Sequence, residues 1–427
     1  MRRAIFLFSA PFIPANSGVE RRCLEMAEAL RDIGYQVTIA SLDPWPEERQ
    51  AAARARFGGD VRVLRKNESA VPWLGRFHRV LSLRAAHRTR LSGELWSPWN
   101  LRVLYRQAFT ELLEQVQPQL IFMSYWRTDG LVDHARFSRI TRVIDGIDLA
   151  TINAQMWEAV EKRLPALPVR MDALDNGRDG VLAGDFFSRH PVHPRREELA
   201  AYDRFDVSIA IAEAEAQIMR ENTRRTRVVS IPMTMEAVPL ENTYRGAAVL
   251  PTGPNPFNLQ GLLYFARSVL PVVRDRHPEF SLQVTGTCSD QIGDAPGVER
   301  LGFVPSLADV YREAAFAVCP VFGGTGQQIK IVEAMAHGLP VVAVRFAADR
   351  SPIRDGVNGF AVQSAEEFAE RVCELWGDRG LCRRLGEAAR DTIRREYAPE
   401  RTRAALADVL GPAATPPAAA AATGRVA

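Results

Sequence analysis

At 427 residues the chain is too long for one ordinary core, so two domains are expected. Apolar residues at 47% and charged residues at 25% give the balance of a globular protein, and a net charge of +3 over this length argues against a dedicated nucleic-acid binder. Five scattered cysteines without a C-x-x-C pair speak against a zinc cluster or a disulfide framework and read as reduced, mostly buried thiols.

No apolar run reaches the roughly 18 residues of a membrane span. The opening MRRAIFLFSAPF imitates a secretory leader, but Pro11 and Pro14 cut its apolar stretch short and no small-residue cleavage site follows. A buried first strand over 4–9 is the better reading. A loop follows, then a helical pattern in which Val19, Cys23, Met26, Leu30 and Ile33 recur every three to four residues up to Gly34. QVTIAS (36–41) is the next strand, completing the opening of a parallel α/β sheet. Further strands are expected at 61–64, 119–124, 142–145, 207–212 and 227–231. The pattern restarts after a hinge, with strands at 247–252, 280–286, 315–321 and 339–344 and helices between them.

The expected fold class is therefore α/β, with two tandem doubly wound, Rossmann-like domains and an interdomain cleft of the kind that binds nucleotides. The boundaries read as an N-terminal domain over 1–235, a hinge over 236–243 and a second domain over 244–385. Closing helices over 386–410 pack back toward the first domain, and a low-complexity tail over 411–427 reads as disordered.

The chemistry is concentrated in VFGGTGQQIKIVEAMAHGLPVVAV (321–344). A strand feeds Gly323, Gly324, Thr325 and Gly326, and the chain then enters a helix that Gly338 stops. Glycines let the backbone approach a ligand closely, and amides at a helix start attract an anion such as a phosphate. Lys330 and Glu333 share one helical face, while Ile329, Val332 and Met335 are expected to pack against the sheet. Lys330 stands out because the chain has only three lysines, the others being Lys66 and Lys162. A diphosphate at the helix start would meet the amides and the Lys330 ammonium, with a carboxylate one turn deeper for a ribose. The plain alternative is a surface Lys–Glu pair beside an ordinary glycine turn. His337 reads as a solvent-facing residue near the helix end.

This segment resembles the donor-site signature of the family 4 retaining glycosyltransferases, which have the GT-B fold. The likeness extends in order through PFIPANSGVERRCLEMAEALRDIGYQVTIASL, RVIDGIDLATIN, ELAAYDRFDVSIAIAEAEAQIM and PTGPNPFNLQGLLYFARSVLP. By this resemblance Glu333 would hold the donor ribose, and Lys330 with the amides after Gly324, through Thr325 and Gly326, would hold the diphosphate. Gly18 would belong to the family's N-terminal glycine loop. Many members carry a glutamate where Thr325 stands, and a histidine in the stretch that here reads Asp145-Gly146-Ile147-Asp148. Asp148 is carried as a catalytic candidate beside Lys330; an aspartate ending a buried strand, as at Asp145, often caps the next turn instead.

The resemblance implies transfer of a sugar from a nucleoside diphosphate donor, UDP- or GDP-linked, to a glycan, lipid-linked or small-molecule acceptor, with retention of configuration. The leaving diphosphate would help to deprotonate the acceptor, and no cofactor would be required. Without an aspartate pair at D-x-D spacing after a strand, no metal is expected, and without a leader or spanning segment in the sequence the expected location is cytoplasmic. Rival readings are a sugar-nucleotide epimerase on the same fold, a non-catalytic nucleotide-sugar binder, and a phosphorylase using pyridoxal phosphate, which would need Lys330 for a Schiff base. Donor turnover with and without acceptor separates them. The basic, partly amphipathic stretch WLGRFHRVLSLRAAHRTR (73–90) suits either the inner membrane face or a solvated helix beside the acceptor.

Overall fold

The computed structural model describes residues 2–15, 17–67, 98–169, 180–239 and 242–411. The basic stretch 73–90 and the tail beyond 411 lie outside these residues.

The strands are β1 (Arg2–Phe8), β2 (Tyr35–Ser41), β3 (Arg62–Val63), β4 (Leu120–Ser124), β5 (Thr141–Asp145), β6 (Val207–Ala210) and β7 (Arg227–Ser230), then β8 (Ala248–Pro251), β9 (Leu282–Thr285), β10 (Val298–Gly302), β11 (Ala317–Cys319), β12 (Val341–Val344) and β13 (Gly359–Val362). They form a seven-stranded sheet in the order β3-β2-β1-β4-β5-β6-β7 and a six-stranded sheet in the order β10-β9-β8-β11-β12-β13. By contacts the chain falls into two compact units, one holding Met1–Val143 with the last helix from Thr402, the other Ile144–Arg401.

In the first unit β1 pairs in parallel with β2, from Arg2↔Tyr35 to Phe8↔Ser41, and with β4 on its other side. Strands covered on both faces read as continuous apolar runs, and Ala4, Ile5, Phe6 and Leu7 are all fully buried. Phe6 stacks on Phe122 of β4 with ring centroids 5.1 Å apart. Full burial of such a side chain contributes about 1.5–3 kcal/mol. Ser17 caps the helix Gly18–Asp32 by accepting a hydrogen bond from the Glu20 amide at 3.3 Å, and Gly34 ends the turn with φ 95°.

In the second unit β6 pairs in parallel with β7, and the six-stranded sheet is parallel in every pair. The expected strands are present. β10 and β13 add two strands beyond those expected, and the residues of β10 alternate little between buried and exposed. The helix expected after β8 starts at Asn255, which caps it with Pro256 at its first turn. It then widens into a π turn over Phe265–Val269, where the Leu270 amide reaches back to the Phe265 carbonyl, just before Pro271, which has no N–H to give.

At the far end of the helix Ile329–Ala336, Gly338 adopts φ 73° and its carbonyl accepts from the Tyr244 hydroxyl at 2.9 Å. The helix Arg379–Glu396 crosses there at Gly386, where a Cβ would stand only 2.1 Å from that same carbonyl oxygen.

Candidate functional site

The site is built within the second unit, where the segment Val321–Gly338 follows β11. Gly324 and Gly326 both take the left-handed region, with φ 93° and 79°, which is why no branched side chain suits them. A Cβ at Gly323 would lie 2.5 Å from Phe257 and 2.7 Å from Phe187, so two aromatic rings occupy the space that its missing side chain leaves. Trp157 adds an edge contact to Phe257 at 6.1 Å. The Thr325 hydroxyl has no hydrogen-bond partner among the described residues.

The helix begins at Ile329. Val332 and Met335 are fully buried, as their spacing predicts, whereas Ile329 is only partly covered and packs against Ile211, Ala212 and Met233. Lys330 is half-buried, and its Nζ donates to Oδ1 of Asn258, itself a buried residue in the first turn of the helix that Asn255 caps. The Asn258 amide in turn donates to the Gly253 carbonyl at 3.1 Å, and the Cys288 thiol donates to the same carbonyl at 3.0 Å. Burial holds the Lys330 ammonium below the usual lysine value, with the neighbouring Cys319 and Cys288 thiols acting against that shift. Glu333 lies half-buried on the next turn, and its carbonyl receives the His337 imidazole at 2.8 Å. His337 packs against Tyr311 with centroids 5.0 Å apart, so its ring serves the helix end and does not simply face solvent.

The turn after β5 comes to the same place. Asp145 is buried, and its Oδ1 accepts the Ile147 amide at 3.2 Å, the turn-capping role open to such an aspartate. Ile147 sits at φ 60°, a genuine outlier for a β-branched residue. Asp148 accepts from the Asn153 side chain at 2.9 Å, and its Cβ lies 3.7 Å from where a Cβ on Gly326 would be. Glu215, from the helix Glu213–Asn222, joins the two turns: its Oε1 accepts the Leu149 amide at 2.9 Å and the Gly326 amide at 3.0 Å. Glu198 holds the next residues, accepting from both the amide and the hydroxyl of Thr151.

Lys330, Thr325, Gly324, Gly326, Glu333 and Asp148 therefore lie in one unit, the first five on one continuous segment. Gly18 belongs to the other unit, as the first residue of its helix. The Gly326 amide, expected to face a diphosphate, is taken by Glu215. Sequence reasoning missed Asn258 and Glu215. Asn258 follows the N-cap pattern Asn255-Pro256. Glu215 lies with Ala216 and Met219 on the buried face of its helix, and a glutamate among core residues was the available signal.

Residues 248–378 match the family of glycosyl transferases group 1. The chain is similar to the putative glycosyltransferase EpsD of Bacillus subtilis (strain 168), 26% identical over 199 residues covering 44% of this chain and 51% of that protein. It is also similar to the D-inositol 3-phosphate glycosyltransferase of Streptomyces bingchenggensis (strain BCW-1), 34% identical over 109 residues, or 25% of this chain and 24% of that one. The matches thus span about half, or less, of these curated relatives. Among solved structures, sucrose-phosphate synthase from Thermosynechococcus elongatus is 15% identical with a TM-score of 0.62, covering 96% of this chain and 98% of that one. HepE from Anabaena, in complex with UDP and glucose, is 13% identical with a TM-score of 0.58, covering 96% and 99%.

These likenesses define an α/β protein of the GT-B fold. Within that fold, residues 248–378 resemble the glycosyl transferases group 1 domain.

Proposed function

We propose that this chain transfers a hexosyl group from a UDP- or GDP-linked donor to a hydroxyl of a glycan, lipid-linked or small-molecule acceptor, with retention of configuration and without a metal. The observation that carries this reading is the Lys330 ammonium, desolvated and oriented by Asn258 beside the left-handed glycine turn. A partly desolvated cation gains most from an anion that completes its surroundings, and the diphosphate becomes more negative as the sugar leaves. The bond between the anomeric carbon and the phosphate oxygen breaks, and the acceptor oxygen bonds to that carbon on the same face. The acceptor proton passes to a leaving phosphate oxygen. Glu333, one turn beyond Lys330, holds the ribose hydroxyls, and Asp148 faces the reacting sugar.

The domain boundaries at 235 and 244 belong to the same reading, as does a cytoplasmic location. No helix among the described residues is long and apolar enough to cross a membrane. HepE is described in complexes with UDP and with UDP-glucose, which makes UDP-sugars the first donors to try.

The test is a panel of UDP-, GDP- and dTDP-sugars incubated with candidate acceptors, with and without EDTA. Acceptor-dependent release of the nucleoside diphosphate, unchanged by EDTA, is the expected result. Release of an isomerised donor without acceptor, or no turnover of any donor, would overturn the reading.

A further inference from the structure

We propose that Glu215 is a positioning residue of the donor site, tying the glycine turn at Gly326 to the Asp145–Leu149 turn so that Asp148 and the phosphate-facing backbone keep a fixed separation. This rests on the donor reading above and assigns a part to a residue outside its motif.

Four observations carry it. Glu215 is 2% exposed, so its carboxyl group has left water to make these contacts. A single oxygen accepts amides from two turns that are far apart in sequence, Leu149 and Gly326. The other oxygen, Oε2, receives no hydrogen bond among the described residues, although Asp148 and Glu215 line the same small depression. Finally, the turn it grips contains Ile147 at φ 60°, a conformation that persists only where the surroundings over-determine it. A core-facing carboxyl group placed merely for stability would be replaceable by an apolar side chain of similar volume. This one spends both its contacts on the backbones that bracket the site.

The arrangement also makes the clamp sensitive to pH. The charged and titratable groups facing Glu215 are Asp148 from the turn, Tyr202 from the helix Arg196–Tyr202, and Arg350 beyond β12. Burial and the neighbouring Asp148 push the Glu215 carboxyl up to about 8, against the two amides and Arg350, which favour its ionised form. Below that pH the neutral acid still accepts both amides through one oxygen. Above it, a second negative charge appears beside Asp148, at a place meant for a diphosphate.

The experiment is calorimetric titration of UDP and GDP between pH 6 and 9.5 into the wild-type protein, Glu215→Gln and Glu215→Ala. Glu215→Gln keeps an oxygen acceptor but cannot ionise. It should match the wild-type affinity at pH 6.5 and lose the part of the wild-type weakening that sets in above about pH 8. The contribution of Lys330 is common to both proteins and cancels. Glu215→Ala, which frees both turns, should bind about tenfold more weakly at every pH, the effect of losing roughly 1.4 kcal/mol of preorganisation. Superimposable pH profiles for wild type and Glu215→Gln, or wild-type affinity in Glu215→Ala, would overturn the positioning role alone. If Glu215→Ala does not fold, the comparison with Glu215→Gln decides. No binding of either nucleotide by the wild-type protein would overturn the donor reading itself, and the positioning role with it.

Discussion

The segment Val321–Gly338 and the turn Asp145–Thr151 meet at Glu215 but are built in opposite ways. In the first, the glycines, Lys330 and Glu333 follow one another on a turn and a helix, and the geometry is set by local rules: left-handed φ at Gly324 and Gly326, and helical spacing thereafter. In the second, local bonds at Asp145 and Asp148 are joined by contacts imposed from a distance. Glu198 grips Thr151 across 47 residues, Glu215 grips Leu149 across 66, and Gly326 is drawn in across 111. A site whose parts are contiguous is cheap to specify, since each residue needs only its neighbours. A turn held from outside depends on the whole unit, and its side chains can be fixed more tightly for that reason.

Substitutions can break or sharpen this contrast. The largest effect is expected from Lys330→Ala, which should lower single-turnover rates by on the order of a hundred- to a thousandfold, the usual consequence of removing one stabiliser of growing charge. Lys330→Arg should recover only part of this, because a planar fork does not reproduce a compact ammonium against Asn258. Glu333→Ala should act on donor affinity instead, weakening it by roughly 10- to 150-fold in titrations, the equivalent of about 1.5–3 kcal/mol. Equal losses of rate and affinity in both variants would erase the division of labour within the contiguous segment.

The remotely held turn should answer in stability. Thr151→Val removes the hydroxyl that donates to Glu198 and accepts the Arg195 amide at 2.9 Å, and urea unfolding should show a loss of about 1–3 kcal/mol. The pH dependence has a definite sign. Glu215 and Glu198 are both raised above their ordinary carboxylate values by burial. Between the ordinary value and the raised one, the folded state holds a proton that the unfolded chain has released. Stability should therefore fall as pH rises from about 4.5 toward 8, and flatten above it. Glu215→Gln should remove much of that slope; an unchanged slope would mean that Glu215 is ionised in the fold throughout. The smallest effect is expected at the Arg354–Glu396 pair, 2.7 Å apart but largely solvated, where Arg354→Ala should cost under about 1 kcal/mol.

The same contrast explains what could be read in advance. The strands of both sheets are runs of apolar residues between turn formers, and Ile5, Phe6 and Leu7 or Val341 and Val342 announce themselves locally. β10 does not, because its residues VERLG are mostly half-buried or exposed, and the π turn before Pro271 reflects a local conflict that helical periodicity alone cannot weigh. In the site, Lys330 and Glu333 were legible because helical spacing puts them on one face. Asn258 beneath Lys330, and Glu215 between two turns, were not, since their roles exist only once distant segments meet. The Gly326 amide shows the cost of local reasoning: its neighbours mark it for a phosphate, while a carboxyl group 111 positions away already holds it.

The junction of Gly338, Gly386 and Tyr244 bears on how such a site can be remodelled. Backbone lies against backbone there, with the Tyr244 hydroxyl closing the third side, and even an alanine at Gly386 would drive a methyl group into the Gly338 carbonyl. The helix bearing Lys330 and Glu333 is thus moored at one end by elements that tolerate no gradual change. At its other end Phe257 and Phe187 fill the space beside Gly323 with rings whose size can be altered one atom group at a time. The space beside Gly323 can therefore be reshaped through those two rings, whereas the glycine junction cannot be changed by small steps.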